Sequence, residues 1–363
     1  MNRAPRVLVL GHVLAQPPGG VARVASQVLP RAAKQLAEKG GELLVLHGSR
    51  EMPAESLGAA RSIPSQLPAG PPLARWLREG RTVRSVLAAE ARAGTPVDVV
   101  HTGHLPLPSG SLQRGVTLVW QVHDLRRADT RLGRLNLRRA ARRAAGIVTV
   151  SRFVARELAD LVPAARERTA IAPNGVDHFT PLPRASEPSY LLHLGHLEPR
   201  KNVELLLRAL QLDPKLPNLL CAGAPKSGER ERLERLASEL GVARRVEFRG
   251  AFADAELPRL LAGSACVVVP SFVEGFGLAA AEALHAGVPL AIARAGALPE
   301  IAGPFGVSFH VERPPECVHA IRTAMVRPAS ELNRGVRHAR RFRWDRSATK
   351  LVEAWSRFSD RAS

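Results

Sequence analysis

Two carboxylates, Glu274 and Glu282, bracket a glycine-rich turn with seven residues between them, in a run from Cys266 to Pro289 that reads CVVVPSFVEGFGLAAAEALHAGVP. The unalternating Cys and Val residues predict a strand buried on both faces, as in a parallel sheet. It stops at Pro270-Ser271. A short loop then delivers Glu274, Gly275, Phe276 and Gly277, and an Ala/Leu/Glu-rich helix begins near Leu278. Two glycines at a helix start let a ligand approach the backbone, and the amides of the first turn attract an anion. Carboxylates flanking an anion accept hydrogen bonds from vicinal diols. The chemistry that fits is binding of a molecule with both a diphosphate and sugar hydroxyls, a nucleotide-sugar. Taken alone, EGFG fits an ordinary strand-helix turn better.

A second cluster lies in HLGHLEPRKN, from His193 to Asn202, where Lys201 follows Gly195 by six residues. A lysine at an expected helix start sits against an already positive helix end. An anionic ligand would remove that conflict, and Arg200 can pair with phosphate oxygens in bidentate fashion. Three weaker signals stand elsewhere. Gly19-Gly20-Val21 follows the first strand, His123-Asp124 ends a buried strand in VWQVHDL, and Gly250 and Phe252 lie in the turn FRGAF. By themselves these fit a generic turn, a structural histidine and a loop.

The elements that must position these residues alternate between strand and helix, which predicts an α/β protein with parallel sheets. Strands are expected at 6–10, 43–46, 97–101, 116–122, 146–150 and 169–172, with helices at 20–39, 73–93, 130–145 and 151–161. Ser151 reads as a helix cap, and 49–72, rich in Pro, Gly and Ser, reads as irregular. A second series follows the proline-rich segment 179–188. Its strands are at 190–194, 219–221, 246–248, 266–269, 290–293 and 307–310, and a last helix covers Trp344 to Phe358. Two doubly wound domains are the consequence, with ligands expected at the carboxyl ends of their strands.

Composition narrows the function classes. A chain of 363 residues, 45% hydrophobic and 4% aromatic, has room for two full cores. Cys221, Cys266 and Cys317 are too few and scattered for a disulfide framework or zinc site, and the first two read as buried strand thiols. The apolar run Val7 to Leu10 is too short for a signal sequence, so a cytoplasmic enzyme is expected. The 52 Lys and Arg against 33 Asp and Glu, net +19, suit an anionic partner, although an arginine-biased genome would give the same excess. Signatures of nucleic-acid modules are missing, so nucleic acid is not expected as a partner. Eight arginines lie between Arg126 and Arg143, and four of them, Arg138, Arg139, Arg142 and Arg143, fall opposite a face made of Leu137, Ala140, Ala141, Ala144 and Ala145. That pattern suits a surface helix and an anionic membrane surface as a weak partner.

The phrases EGFGLAAAEAL through HAGVPL, HLGHLEPRKN, the glycine turn, His123, Ser151 and PNGVD together resemble retaining glycosyltransferases of family 4, the group 1 glycosyl transferases. The Glu-x7-Glu spacing matches that family, and EPRKN resembles bacterial mannosyl and rhamnosyl transferases of surface polysaccharides. The resemblance covers nearly the whole chain. It implies the GT-B fold, two Rossmann-like domains facing across a cleft, with the last helix crossing back to the N-terminal domain. The implied boundaries are 1–178 with 344–361 for the acceptor side, a linker at 179–188, and 189–343 for the donor. It also implies roles. His123, Lys201 and Glu274 would be catalytic, with His123 against the donor sugar, Lys201 on the diphosphate and Glu274 on the sugar hydroxyls. Gly20, Arg200, Gly250, Phe252, Gly275, Phe276, Gly277, Leu278 and Glu282 would bind the donor, Glu282 through the ribose diol.

His196 stands where many members carry Arg, which leaves the exact phosphate ligands open. No Asp-x-Asp motif is present, in keeping with a metal-independent enzyme without a cofactor. The donor would be an NDP-sugar, GDP-mannose slightly ahead, and the acceptor a glycan, a lipid-linked glycan or a small molecule. Two alternatives stay open: a GT-B epimerase and a catalytically inactive sugar-nucleotide-binding protein.

Overall fold

The computed structural model describes residues 4–11, 20–48, 57–67, 72–226 and 228–360. The chain forms two compact units, one made of Met1–Gly175 with Trp344–Ser363 and the other of Val176–Arg343.

The first unit contains β1 (Arg6–Leu10), α1 (Gly20–Ala37), β2 (Glu42–His47), β3 (Arg61–Pro64), α2 (Pro72–Arg92), β4 (Val99–Thr102) and β5 (Thr117–Val122). It continues with α3 (Arg131–Arg143), β6 (Gly146–Thr149), α4 (Arg152–Leu161) and β7 (Thr169–Ile171). The second unit contains β8 (Tyr190–Leu194), α5 (Val203–Leu212), β9 (Asn218–Ala222), α6 (Glu229–Glu239), β10 (Val246–Gly250), α7 (Leu257–Ala262) and β11 (Ser264–Val269). Next come α8 (Leu278–His285), β12 (Leu290–Ala293), α9 (Leu298–Ala302), β13 (Val307–Phe309), α10 (Pro314–Met325) and α11 (Ala329–Ala339). The chain returns through α12 (Trp344–Ser359) to the first unit.

Both sheets are parallel throughout. Among the described residues the first has seven strands in the order β3-β2-β1-β4-β5-β6-β7, and the second has six, β10-β9-β8-β11-β12-β13. In each, the chain runs outward from one central strand, then crosses over and runs outward on the other side. The strand order therefore reverses between β1 and β4 and again between β8 and β11, and a crevice opens beyond the carboxyl ends of such neighbours.

Burial explains the sequence pattern. Every residue of β1, β4, β6, β11 and β12 is buried, as continuous apolar strands covered on both faces require. Cys221, Cys266 and Cys317 are all buried and free. Ser151 caps α4 by accepting from the Val154 amide at 3.1 Å. The edge strand β3 falls inside a stretch expected to be irregular. Its RSIP sequence has no apolar run because three of its four residues are exposed.

The proline-rich segment 179–188 does not serve as a free linker. The Ala185 amide donates to the Ala262 carbonyl and Arg184 to the Ser264 carbonyl, so it is laid onto the second unit, and the boundary falls at Gly175. On α3, Leu137, Ala140 and Ala141 are buried as expected, but the helix ends at Arg143 and leaves Ala145 exposed. Arg143 is exposed as expected, yet not without a partner. Its guanidinium donates to the Gly110 carbonyl, and burial lowers its pKa.

The last helix is anchored by large side chains. Trp344, Trp355 and Phe358 are buried, Arg31 of α1 pairs with Asp345 at 3.2 Å, and Thr117 of β5 donates to the Phe358 carbonyl. Phe358 fits only because residue 146 is glycine: a Cβ there would lie 2.2 Å from a ring carbon. Gly146→Ala should therefore cost about 1–3 kcal/mol of stability through overpacking. The check is a lower urea midpoint at unchanged m-value; a wild-type midpoint would show that α12 packs there more loosely.

Candidate functional site

The loops after β8 and β11, the two strands at the reversal of the second sheet, bring Arg200, Lys201 and Glu274 together. Glu274 is 9% exposed, and a carboxylate that buried needs compensation. Lys201 Nζ lies 2.5 Å from its Oε1, Ser271 Oγ donates to the same oxygen at 2.8 Å, and Arg200 Nη1 reaches Oε2 at 3.5 Å. Burial pulls the Glu274 pKa up, but Lys201 and Arg200 outweigh it and hold the carboxyl below its ordinary range. Arg200 also donates to the Val273 carbonyl and pairs with Glu198 at 2.7 Å, while Lys226 reaches Glu198 at 3.3 Å. Three cations against two carboxylates leave one positive charge in excess.

The expected clash between Lys201 and a helix start does not arise. Lys201 ends a 3-10 turn, Pro199–Lys201, α5 begins at Val203, and Glu274 neutralises the ammonium. Asn202 makes the join. It takes a left-handed conformation, φ 53°, and its side-chain amide donates to the carbonyls of Pro270 and Val311. A third histidine phrase residue, His193, lies buried at the end of β8. Burial, with Lys201 nearby, pushes its pKa down to about 3, so the ring is neutral.

Close backbone approach shapes the rest. Gly296 has φ +59°, and a Cβ on it would lie 2.5 Å from the Glu274 carbonyl oxygen, which the Ala297 amide also holds at 2.8 Å. Gly277 caps α8 in a left-handed conformation, with Leu278 as the first helical residue. The Gly250 carbonyl accepts from the Gly223 amide at 2.7 Å, which ties the ends of β9 and β10 together, and Phe252 packs against the core. Phe276 is a core residue too, 4% exposed and edge-on to Phe342 at 5.3 Å, so only its backbone can serve a ligand. His196 turns Nδ1 to the Ala224 carbonyl at 3.2 Å, and burial lowers its pKa.

Glu282 sits apart from this cluster. It is 2% exposed, and its Oε1 lies 3.4 Å from His178 Nε2. In the first unit, His123 directly follows β5 and lines a cavity of about 330 Å³ with Leu10, Gly103 and Gln121, beyond the ends of β1, β4 and β5. Burial holds His123 neutral, with its pKa lowered to about 4. Gly20 is the exposed first residue of α1, and Gly19 lies outside the described residues.

Four further residues of these sites were given no role in the sequence reading. Asn202 and His178 act on neighbours distant in sequence, whereas Ser271 reaches Glu274 three residues on and Glu198 pairs with Arg200 two residues on.

Comparisons with known proteins agree with this geometry. Residues 177–341 match the model of glycosyl transferases group 1, and residues 18–178 match that of Glycosyltransferase Family 4. The chain is 31% identical over 176 residues to the O-antigen chain mannosyltransferase B of Escherichia coli, covering 46% of this chain and 45% of that one. The match therefore spans about half the length of that relative. The D-inositol 3-phosphate glycosyltransferase of Actinosynnema mirum is 30% identical over 317 residues, 76% of each chain. Among solved structures, Alr3699/HepE of Anabaena in complex with UDP and glucose superposes with a TM-score of 0.69 at 20% identity, covering 96% of this chain and 98% of that one.

The ion pair makes a test independent of any ligand. Lys201→Met should cost about 3–5 kcal/mol by leaving Glu274 buried and uncompensated, and adding Glu274→Gln should recover part of that loss. Because the folded-state pKa of Glu274 is depressed, its contribution is present above the ordinary value of 4.5 and is lost as pH falls through the folded value. Denaturant titrations from neutral to acid pH should show a shallower acid limb in Lys201→Met than in the wild type. Equal slopes would mean that another cation holds the carboxylate.

Proposed function

The chain belongs to the family 4 glycosyltransferases, the group 1 class, and from that premise we propose that it moves a hexose from a nucleoside-diphosphate sugar to a hydroxyl with retention of anomeric configuration. The acceptor is a glycan, a lipid-linked glycan or a small molecule, in cell-envelope or polysaccharide assembly. The observation that carries this reading is the Arg200–Lys201–Glu274 cluster at the strand reversal, beside the amino end of α8.

Breaking the bond between the anomeric carbon and the diphosphate builds negative charge on the leaving group and positive charge on the sugar. Lys201 and Arg200, with the α8 amides at Gly277 and Leu278, stabilise the first. Both cations lie on carboxylates, so a diphosphate competes with Glu274 and Glu198 for them. Glu274, once its lysine is shared, accepts hydrogen bonds from the sugar hydroxyls. Gly275 and the backbone around Gly250 approach the nucleotide, and Glu282 takes the ribose diol after turning from His178. His123 and Gly20 of the first unit keep the roles that the family resemblance implies. The leaving phosphate helps to deprotonate the acceptor on the same face, and basic side chains replace a divalent ion.

GDP-mannose is the first donor to test, since the Escherichia coli relative is a mannosyltransferase. UDP-glucose is the competitor, since the Anabaena neighbour was solved with UDP and glucose. The enzyme works in the cytoplasm, at the inner face of the plasma membrane. Of the 52 basic and 33 acidic residues, 30 and 15 fall in the first unit, which concentrates the positive charge there. On α3, Arg131, Arg134, Arg138, Arg139 and Arg142 are exposed, together with Leu132 and Leu135. Among the described residues no helix is long and apolar enough to cross a membrane, so attraction to anionic lipid would be electrostatic with shallow leucine contact.

Product NMR should show the donor's anomeric configuration, EDTA should leave turnover largely intact, and Glu282→Ala should raise the donor KM more than it lowers kcat. Inverted product would remove the retaining assignment, and chelator loss rescued by magnesium would remove the metal-free one. The protein should also sediment with anionic vesicles at low salt and not with neutral ones. Replacing Arg138, Arg139 and Arg142 by glutamine should abolish that; indifference of the wild type to anionic vesicles would end the membrane proposal.

A further inference from the structure

The chain enters the second unit at Val176 and leaves it at Arg343. The two segments at these points are tied to each other. The Val176 amide donates to the Phe342 carbonyl at 3.0 Å, and Arg343 pairs with Asp177 at 3.4 Å. Both segments then lean on α8 and the turn before it. The Phe179 ring stands edge-on to His285 at 5.1 Å, and His178 meets Glu282 three residues earlier on the same helix. Phe342 reaches the turn itself, where its ring stands edge-on to Phe276 with 83° between the planes.

Phe342 is held firmly enough to act as a support. It is 5% exposed, and the Arg341 guanidinium lies over its ring at 4.6 Å. His338 packs edge-on to it at 6.1 Å. A carbonyl can only accept, so His338 donates from Nε2 to the Ile301 carbonyl at 2.9 Å, which fixes that ring in turn. What Phe342 supports has little else to hold it. Gly275 and Gly277 carry no side chains, and Gly277 takes a left-handed backbone with φ +89°. The Glu274 end of the turn is pinned by the Ala297 amide, so the glycine end rests on the Phe276 ring. An edge-to-face aromatic pair has a preferred geometry as well as buried area, so this contact sets an orientation.

We infer that Phe342 is a positioning residue for nucleotide binding, which sets through Phe276 the Gly275–Gly277 backbone that a diphosphate approaches. The inference rests on the proposed function for the ligand and adds a residue of the crossover segment to the binding machinery. The experiment is titration calorimetry of the full chain with GDP and with UDP. Phe342→Leu keeps an apolar side chain and removes the ring, so it should weaken the nucleotide that binds by about three- to tenfold, the range of one aromatic pair. Phe276→Leu should weaken it equally, and the double variant no further, because both act through one contact. A Phe342 that merely fills the core would lower the urea midpoint and leave the nucleotide Kd of the folded protein unchanged. Wild type supplies a second readout that does not depend on a variant folding. Coupling is reciprocal, so saturating nucleotide should slow hydrogen exchange of the Val176 amide, which is bonded to the Phe342 carbonyl. Wild-type affinity in Phe342→Leu, penalties that multiply in the double variant, or an unchanged Val176 exchange rate would each overturn the inference alone. Wild type that binds neither GDP nor UDP overturns the proposed function, and this inference with it.

Discussion

A carboxylate withdrawn from water at the end of a parallel strand is the constraint on which the second unit depends. Glu274 can stay ionised there only because Lys201, Arg200 and Ser271 reach it. Those partners come from the loop after β8 and from its own loop after β11, so one ion cluster joins the two segments at the strand reversal. A buried pair of this kind adds little net stability over an apolar substitute, but breaking it on one side is expensive. Its value is positional. It keeps two cations and a carboxylate within a few ångströms of each other, at the place where a parallel sheet opens a crevice.

The same logic extends into the backbone. Gly296 and the Ala297 amide press on the Glu274 main chain, and Asn202 bridges the carbonyls of Pro270 and Val311. These contacts fix the two loops against each other. The first unit solves its own version of the problem with neutral groups. Trp355, His101 and Gln121 form a directed series from the returning helix to the cavity, and burial keeps both His101 and His123 uncharged. One site therefore gathers cations and a carboxylate, and the other a series of neutral donors and acceptors.

Much of this could be read from the chain. Strand runs such as VVHT in β4 and CVVV in β11 carry no alternation because both faces are covered, and that pattern marks a parallel sheet without any knowledge of neighbours. Ser151 announced its helix because capping is local. Lys201, Arg200 and Glu274 were legible as residues of interest, since glycine turns and helix starts constrain what stands beside them. The strand β3 was not legible: an exposed edge has no burial to impose a pattern. The proline-rich segment misled for a related reason, because its backbone is held by Ala262 and Ser264, far away in sequence.

The sequence by itself determined the α/β alternation, the family, and which short phrases carry chemistry, because propensity, periodicity and turn geometry act over a few residues. The tertiary structure decided how those phrases are paired. That Lys201 meets Glu274 rather than facing an empty helix start, that Phe276 belongs to the core, and that Glu282 looks at His178 all depend on strand order and packing. The direction of the Gln121 amide depends on a tryptophan more than two hundred residues away. Electrostatic compensation and hydrogen-bond direction act through space between segments distant in the chain, so they exist only once both sheets have closed.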